Sequence, residues 1–148
     1  WGRCDIKTVS LLPNVLAKQQ AREAGAYEAW LVDAEGNVTE GSSTNAWIVT
    51  RDGKLVTRPT GKEILSGITR ASVLKLVREE GIELVERPFS LAEAKQAREA
   101  FVTSATSYVL PVVQIDEAVI GNGKPGSVAR KLFAAYLAYM EGEGATPA

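Results

Sequence analysis

Histidine is absent from this chain, and cysteine occurs once, as Cys4. The first absence removes every Ser-His or Cys-His catalytic pair from within the chain, and no metal-ligand spacing is visible. The lone cysteine excludes an intrachain disulfide and fits a reducing, cytoplasmic compartment. No apolar run approaches the roughly 20 residues needed to span a bilayer, so no membrane partner is expected. There is no Gly-rich phosphate loop, no internal repeat and no low-complexity tract. Lysine and arginine total 17 against 18 acidic residues, interspersed with no basic stripe, which argues against nucleic acid as a partner.

What is present is the make-up of one globular domain. Apolar residues are 45% of 148 positions and charged residues 24%, and a chain of this size buries about 70% of its unfolded surface. Pro13 suits the first turn of a helix that ends at Gly25. Tyr27–Val32 reads as a strand, DAEGN as a turn, and Val38–Thr39 as the end of a second strand. Ala46–Thr50 and Lys54–Thr57 flank Asp52-Gly53, a strong hairpin signal. A helix is predicted from Gly67 to Glu80, closed by Gly81, with Ile68, Ala71, Leu74 and Val77 on its apolar stripe. Ile82–Val85 reads as a strand. Ser90 and Glu93 form a capping box for a short helix through Ala97. Ala100–Thr103 and Tyr108–Ile115 read as strands around a small polar turn. Gly126–Tyr139 is a closing helix, with fraying expected from Gly142. The fold class is mixed α/β (α+β) in one domain.

The segment Val38–Trp47, VTEGSSTNAW, concentrates the chemistry. One carboxylate, Glu40, and the short polar side chains of Ser42, Ser43, Thr44 and Asn45 fall between two apolar strands. Such a cluster is costly to bury unless something binds it. Gly41 permits another group to approach the backbone closely. Near the start, Lys7 lies in CDIK ahead of a Thr-Val-Ser-Leu-Leu run, where period-2 alternation turns it to a different face from Ile6 and Thr8.

Seven motifs carry a resemblance: CDIK, LLPNVLAKQ, YEAWL, VTEGSSTN, ILSGITR, FVTSAT and GSVARKL, in order from Cys4 to about Leu132. Together they resemble the fold-type IV (class IV) pyridoxal-phosphate aminotransferases, and among them the D-amino-acid aminotransferase branch. The resemblance implies the C-terminal, cofactor-binding domain of that fold over residues 1–148, with the family's N-terminal domain absent from this chain. It implies pyridoxal 5'-phosphate as cofactor, held by Lys7 as an aldimine, with Lys7 also shuttling the proton between substrate Cα and cofactor C4′. Glu40 matches the glutamate that keeps the ring nitrogen protonated. Ile68 and Thr69 match the phosphate site, through a main-chain amide and the Thr hydroxyl, and Ser104 its second turn. Ala105 helps line the site, and Leu65 packs on one ring face. Ser43 joins the network near the ring hydroxyl. Arg70 is expected to be a structural ion-pair partner.

The activity implied is transfer of an amino group between a D-amino acid such as D-alanine and a 2-oxo acid, through pyridoxamine phosphate, in a homodimer. Ala105 departs from the hydroxyl residue common in close D-amino-acid enzymes, and branched-chain aminotransferases also use alanine there. The branched-chain reading therefore stands beside the first. Aminodeoxychorismate lyase, which commonly departs from GSSTN, and a catalytically silent domain of the same fold are further alternatives.

Overall fold

The computed structural model describes residues 12–59 and 68–145. In chain order its elements are α1 (Leu12–Glu23), β1 (Trp30–Val32), β2 (Val38–Gly41), β3 (Asn45–Val49), β4 (Leu55–Thr57) and α2 (Ile68–Glu79). There follow β5 (Leu84–Glu86), α3 (Leu91–Lys95), β6 (Glu99–Ser104), β7 (Tyr108–Val112), β8 (Gln114–Ile115), β9 (Ala118–Val119) and α4 (Ser127–Ala145). Among the described residues no helix is long and apolar enough to cross a membrane.

Five strands form a mixed sheet in the order β5-β4-β3-β6-β7. β4 and β5 run parallel, joined through α2, and the other neighbours are antiparallel. A parallel pair needs such a crossover, because a tight turn can only reverse the chain. β3 lies at the centre, and all five of its residues are buried. Alternation sends its side chains to two different cores. Trp47 and Val49 join Leu55, Val73, Val77, Phe101, Leu132 and Tyr136 beneath α2 and α4. Ala46 and Ile48 join Val38, Val56, Phe89, Ala94 and Ile120 on the opposite face. The Trp47 and Phe101 rings stack at 5.5 Å, and Trp47 Nε1 donates to Thr103 Oγ1 at 3.0 Å. That bond satisfies the indole N–H inside the core.

Local chemistry explains most boundaries. α1 and α2 close where expected. The Gly25 and Ala26 amides reach the Arg22 and Ala21 carbonyls at 3.0 and 2.8 Å, and Gly81 and Ile82 repeat the pattern on Arg78 and Val77. The Asp52-Gly53 hairpin forms, with the Gly53 amide on Thr50 O at 3.0 Å. Ser90 Oγ caps α3 by accepting from the Glu93 amide at 3.0 Å. The Glu93 carboxylate reaches back to the Ser90 amide, completing the box, and also accepts from Arg87 Nη1 at 3.0 Å.

Four expectations need correction. The Tyr27–Val32 strand contracts to Trp30–Val32, because Glu28 and Ala29 bond to the turn after β2. The strand expected at Ile82 starts at Leu84, since the Ile82 amide is spent closing α2. The run to Ile115 breaks after Val112, and β8 and β9 form a small hairpin around Asp116, at φ +52°. The last helix continues through Gly142 to Ala145.

α4 starts against a carboxylate of its own domain. Glu99, 6% exposed, accepts from the Val128 amide at 3.0 Å, the Ala129 amide at 3.2 Å and the Ser127 hydroxyl at 3.3 Å. A Cβ on Gly126 would collide with that carboxylate, so the approach depends on glycine here.

Candidate active site at one end of the sheet

Strand register brings three segments to the same end of the sheet. Asn45 pairs with Thr103 and Trp47 with Thr57, so β3 begins where β4 and β6 finish. The 42–44 turn, the 104–107 turn and the start of α2 therefore share that end. These are the carboxyl ends of β4, β5 and β6, where the crevices of α/β sheets take ligands.

Glu40 sits in β2, 6% exposed, between the fully buried Val38 and the turn. The pairing of β1 with β2 is irregular: Trp30 faces Gly41 and Val32 faces Val38, so β2 carries one extra residue over this span. A bulge of this kind re-aims a side chain. Thr39 Oγ1 donates to Leu31 O at 3.1 Å across it.

The hydroxyls of the turn are bound, and by this chain. Glu28 precedes β1 and receives five donors on one carboxylate. Oε1 accepts from the Ala29 amide at 2.8 Å and from Ser42 Oγ. Oε2 accepts from Ser43 Oγ at 3.1 Å, Thr44 Oγ1 at 3.2 Å and the Ser43 amide at 3.3 Å. Burial penalises the charged form, but the bonds from Ser42, Ala29 and Ser43, with the nearby Lys18 charge, outweigh it and hold the Glu28 carboxyl below its ordinary value of 4.5. A Cβ on Gly41 would collide with Thr44 Oγ1 and lie 3.1 Å from Glu28 Oε2, which is the close approach that glycine was expected to permit. Glu28 was not singled out from the sequence. The available signal was a carboxylate inside the otherwise β-rich run Tyr27–Val32, expensive to half-bury without donors.

Ser43 is exposed, and its hydroxyl also accepts from Lys18 Nζ of α1 at 3.2 Å. Lys18 Nζ lies 5.7 Å from the Tyr27 ring, and Tyr27 Oη is 3.4 Å from Ser107 Oγ. This chain of contacts links α1, the 42–44 turn and the 104–107 turn.

Ser104 ends β6, half-buried, and its hydroxyl accepts from the Ser107 amide at 3.0 Å, with Thr106 Oγ1 3.4 Å away. Ala105 is exposed at the tip. The next strand opens at Tyr108 with φ +58°, a left-handed conformation that costs a bulky residue about 1–3 kcal/mol. Its ring packs 5.3 Å from Tyr136 of α4. Thr69 is buried in the first turn of α2, and Ile68 is the first helical residue. That first turn carries no acidic residue. Arg70, 2% exposed, donates through Nη2 to Arg58 O at 2.8 Å and to Glu86 Oε1 at 3.3 Å, in keeping with a structural ion pair, while its buried Nε has no hydrogen-bond partner among the described residues. Arg58 in turn pairs with Asp33 at 3.0 Å. Lys7 and Leu65 lie outside the described residues.

The mixed α/β architecture is the fold class that the motifs implied. The chain belongs to the class IV aminotransferase family, whose sequence pattern (Amino-transferase class IV) matches residues 1–115. It is 44% identical over 132 residues to a D-alanine aminotransferase of Bacillus licheniformis, covering 89% of this chain and 46% of that protein. It is 45% identical over 127 residues to a putative branched-chain-amino-acid aminotransferase of Methanocaldococcus jannaschii, covering 86% of this chain and 44% of that one. Its structure matches a branched-chain amino acid aminotransferase from Thermobaculum terrenum in the PLP-form, with a TM-score of 0.89 and 32% identity, over 95% of this chain and 46% of the other. The chain thus spans a little under half the length of these relatives.

Proposed function

We propose that this chain is the pyridoxal-phosphate-binding domain of an aminotransferase acting on a D-amino acid and a 2-oxo acid. The observation that carries the reading is the convergence, at one sheet end, of the turn following buried Glu40, the hydroxyl-rich 104–107 turn and the opening of α2. The donor set suits a phosphorylated, cationic ring: hydroxyls and helix amides for the phosphate, a buried carboxylate for the ring nitrogen.

The cofactor, when bound, supplies an electron sink for the carbanion formed at substrate Cα. The chain's residues do the rest. Thr69, the Ile68–Thr69 backbone and Ser104 bind the phosphate and fix the ring's position. Glu40 keeps the ring nitrogen protonated by Coulomb attraction. Leu65 would pack against the ring, and Lys7 would take the proton from substrate Cα. Ala105 lines the substrate side, and Ser43 belongs to the network near the ring hydroxyl. The groups that hold the substrate carboxylate come from a further, N-terminal domain, and two copies assemble as a homodimer.

The first test is the absorption spectrum of the full-length protein with pyridoxal phosphate, before and after borohydride reduction, followed by peptide mass mapping. A phosphopyridoxyl group fixed on Lys7 supports the reading; scattered labelling of many lysines overturns it. A second reading, branched-chain L-amino-acid transamination, is favoured by Ala105. Transamination of D-alanine against L-leucine decides between the two.

A further inference from the structure

The structure gives Glu28 five donors, more than the roughly four lone-pair positions a carboxylate offers. It has no capacity left for a substrate or a cofactor. Every donor but one comes from the turn that directly follows Glu40. Around the same residue the backbone is tied as well: the Ser42 amide bonds Ala29 O at 2.9 Å, and the Gly41 amide bonds Thr44 O at 2.8 Å. Glu40 itself stands in the span where β2 carries its extra residue, so the ladder alone underdetermines where its carboxylate points. Something must fix the strand beyond the irregularity, and Glu28 grips that side.

We infer that Glu28 is a positioning residue: its carboxylate clamps the Ser42–Thr44 turn against the start of β1 and so sets the placement of Glu40. The inference rests on the functional reading above, in which Glu40 faces the ring nitrogen. Lys18 extends the clamp, since its bond to Ser43 Oγ ties α1 to the same turn. The clamp is built for a negative charge. Among the described residues its donors are hydroxyls and amides, and the Lys18 charge is close enough to favour the carboxylate.

The test uses the full-length protein in a double-mutant cycle with Glu28→Ala and Glu40→Gln, reading kcat, KM and the affinity for pyridoxal phosphate. Hydrogen exchange of the 41–45 amides is followed in the absence of cofactor. Glu28→Gln serves as the variant of conserved volume. We expect Glu28→Ala to speed exchange at 41–45 about tenfold or more, with the β6–β7 amides unchanged. It should lower kcat about 10- to 100-fold with KM for the amino donor nearly constant, as displacement of a reacting group by about 1 Å does. In the Glu40→Gln background the same substitution should cost little further. An equal loss in both backgrounds means that Glu28 acts elsewhere; the positioning role is then overturned while the role of Glu40 stands. If Glu40→Gln alone leaves affinity and kcat unchanged, the reading of Glu40 falls and this inference with it. Unchanged exchange at 41–45 in both Glu28 variants also overturns it.

Discussion

The two ends of the five-stranded sheet are both polar, but the chain treats them in opposite ways. Where β3 ends, the helix that starts nearby, α4, already holds an anion: the Glu99 carboxylate sits on the Val128 and Ala129 amides. Arg51 Nε closes the neighbouring loop by donating to Gln96 O at 3.1 Å. Where β3 begins, α2 opens with no acidic residue in its first turn, beside a turn of small hydroxyl residues. A helix N-terminus filled from within is structural. The α4 amides held by Glu99 leave no room there for an anion from outside, whereas among the described residues α2 brings no acidic side chain in its own first turn, which is compatible with the proposed phosphate site.

The sharpest way to break the contrast is at the proposed reactive group. Lys7→Ala in the full-length protein should abolish the visible absorption of bound cofactor and lower kcat/KM by about 10³-fold or more. Single-turnover kinetics with the amino donor measure it. At the opposite end, Glu99→Ala removes the cap of α4 and leaves buried amides without an acceptor. It should cost about 2 kcal/mol, or about 6 °C in Tm, while cofactor affinity stays as it was. Loss of cofactor binding without loss of Tm would reverse the assignment of the two ends.

A smaller effect is expected within the candidate site. Ala105→Thr adds a hydroxyl at the exposed tip of the 104–107 turn, and should change the D-alanine to L-leucine preference about fivefold, read from the ratio of kcat/KM values. The smallest involves Glu93. Its hydrogen bond from Arg87 holds its carboxyl below the ordinary 4.5, against the opposing effect of burial. A depressed folded-state pKa stabilises the fold above the unfolded value, and the gain is lost as pH falls through the folded one. Glu93→Gln should therefore flatten the acid limb of stability below about pH 4.5. Both partners are more than a third exposed, so the change should stay well under about 1 kcal/mol, followed by urea denaturation across pH.

Much of the fold was legible because its signals are local. Asp52-Gly53, Gly25, Gly81 and the Ser90 cap each act within a few residues, and each formed as expected. β8 and β9 escaped because two-residue strands carry no periodicity, and the break after Val112 has no Gly or Asn to mark it. In the candidate site, the burial of Glu40 and the tight approach at Gly41 were foreseen from the flanking strands. The partner of the hydroxyl cluster was not. Glu28 meets Ser43 across 15 residues of sequence and through an irregular strand pair, a relation no local pattern encodes.

The central pairing of β3 with β6 also has a consequence in time. Trp47 reaches Thr103 across 56 residues, so the 42–44 and 104–107 turns become neighbours only after a long loop has closed. Such non-local pairing is among the slower events of folding. This end of the sheet should thus assemble late, and the refolding full-length protein should regain its colour with pyridoxal phosphate no sooner than the tryptophan fluorescence of the finished sheet. Stopped-flow traces of the two signals would show that order directly.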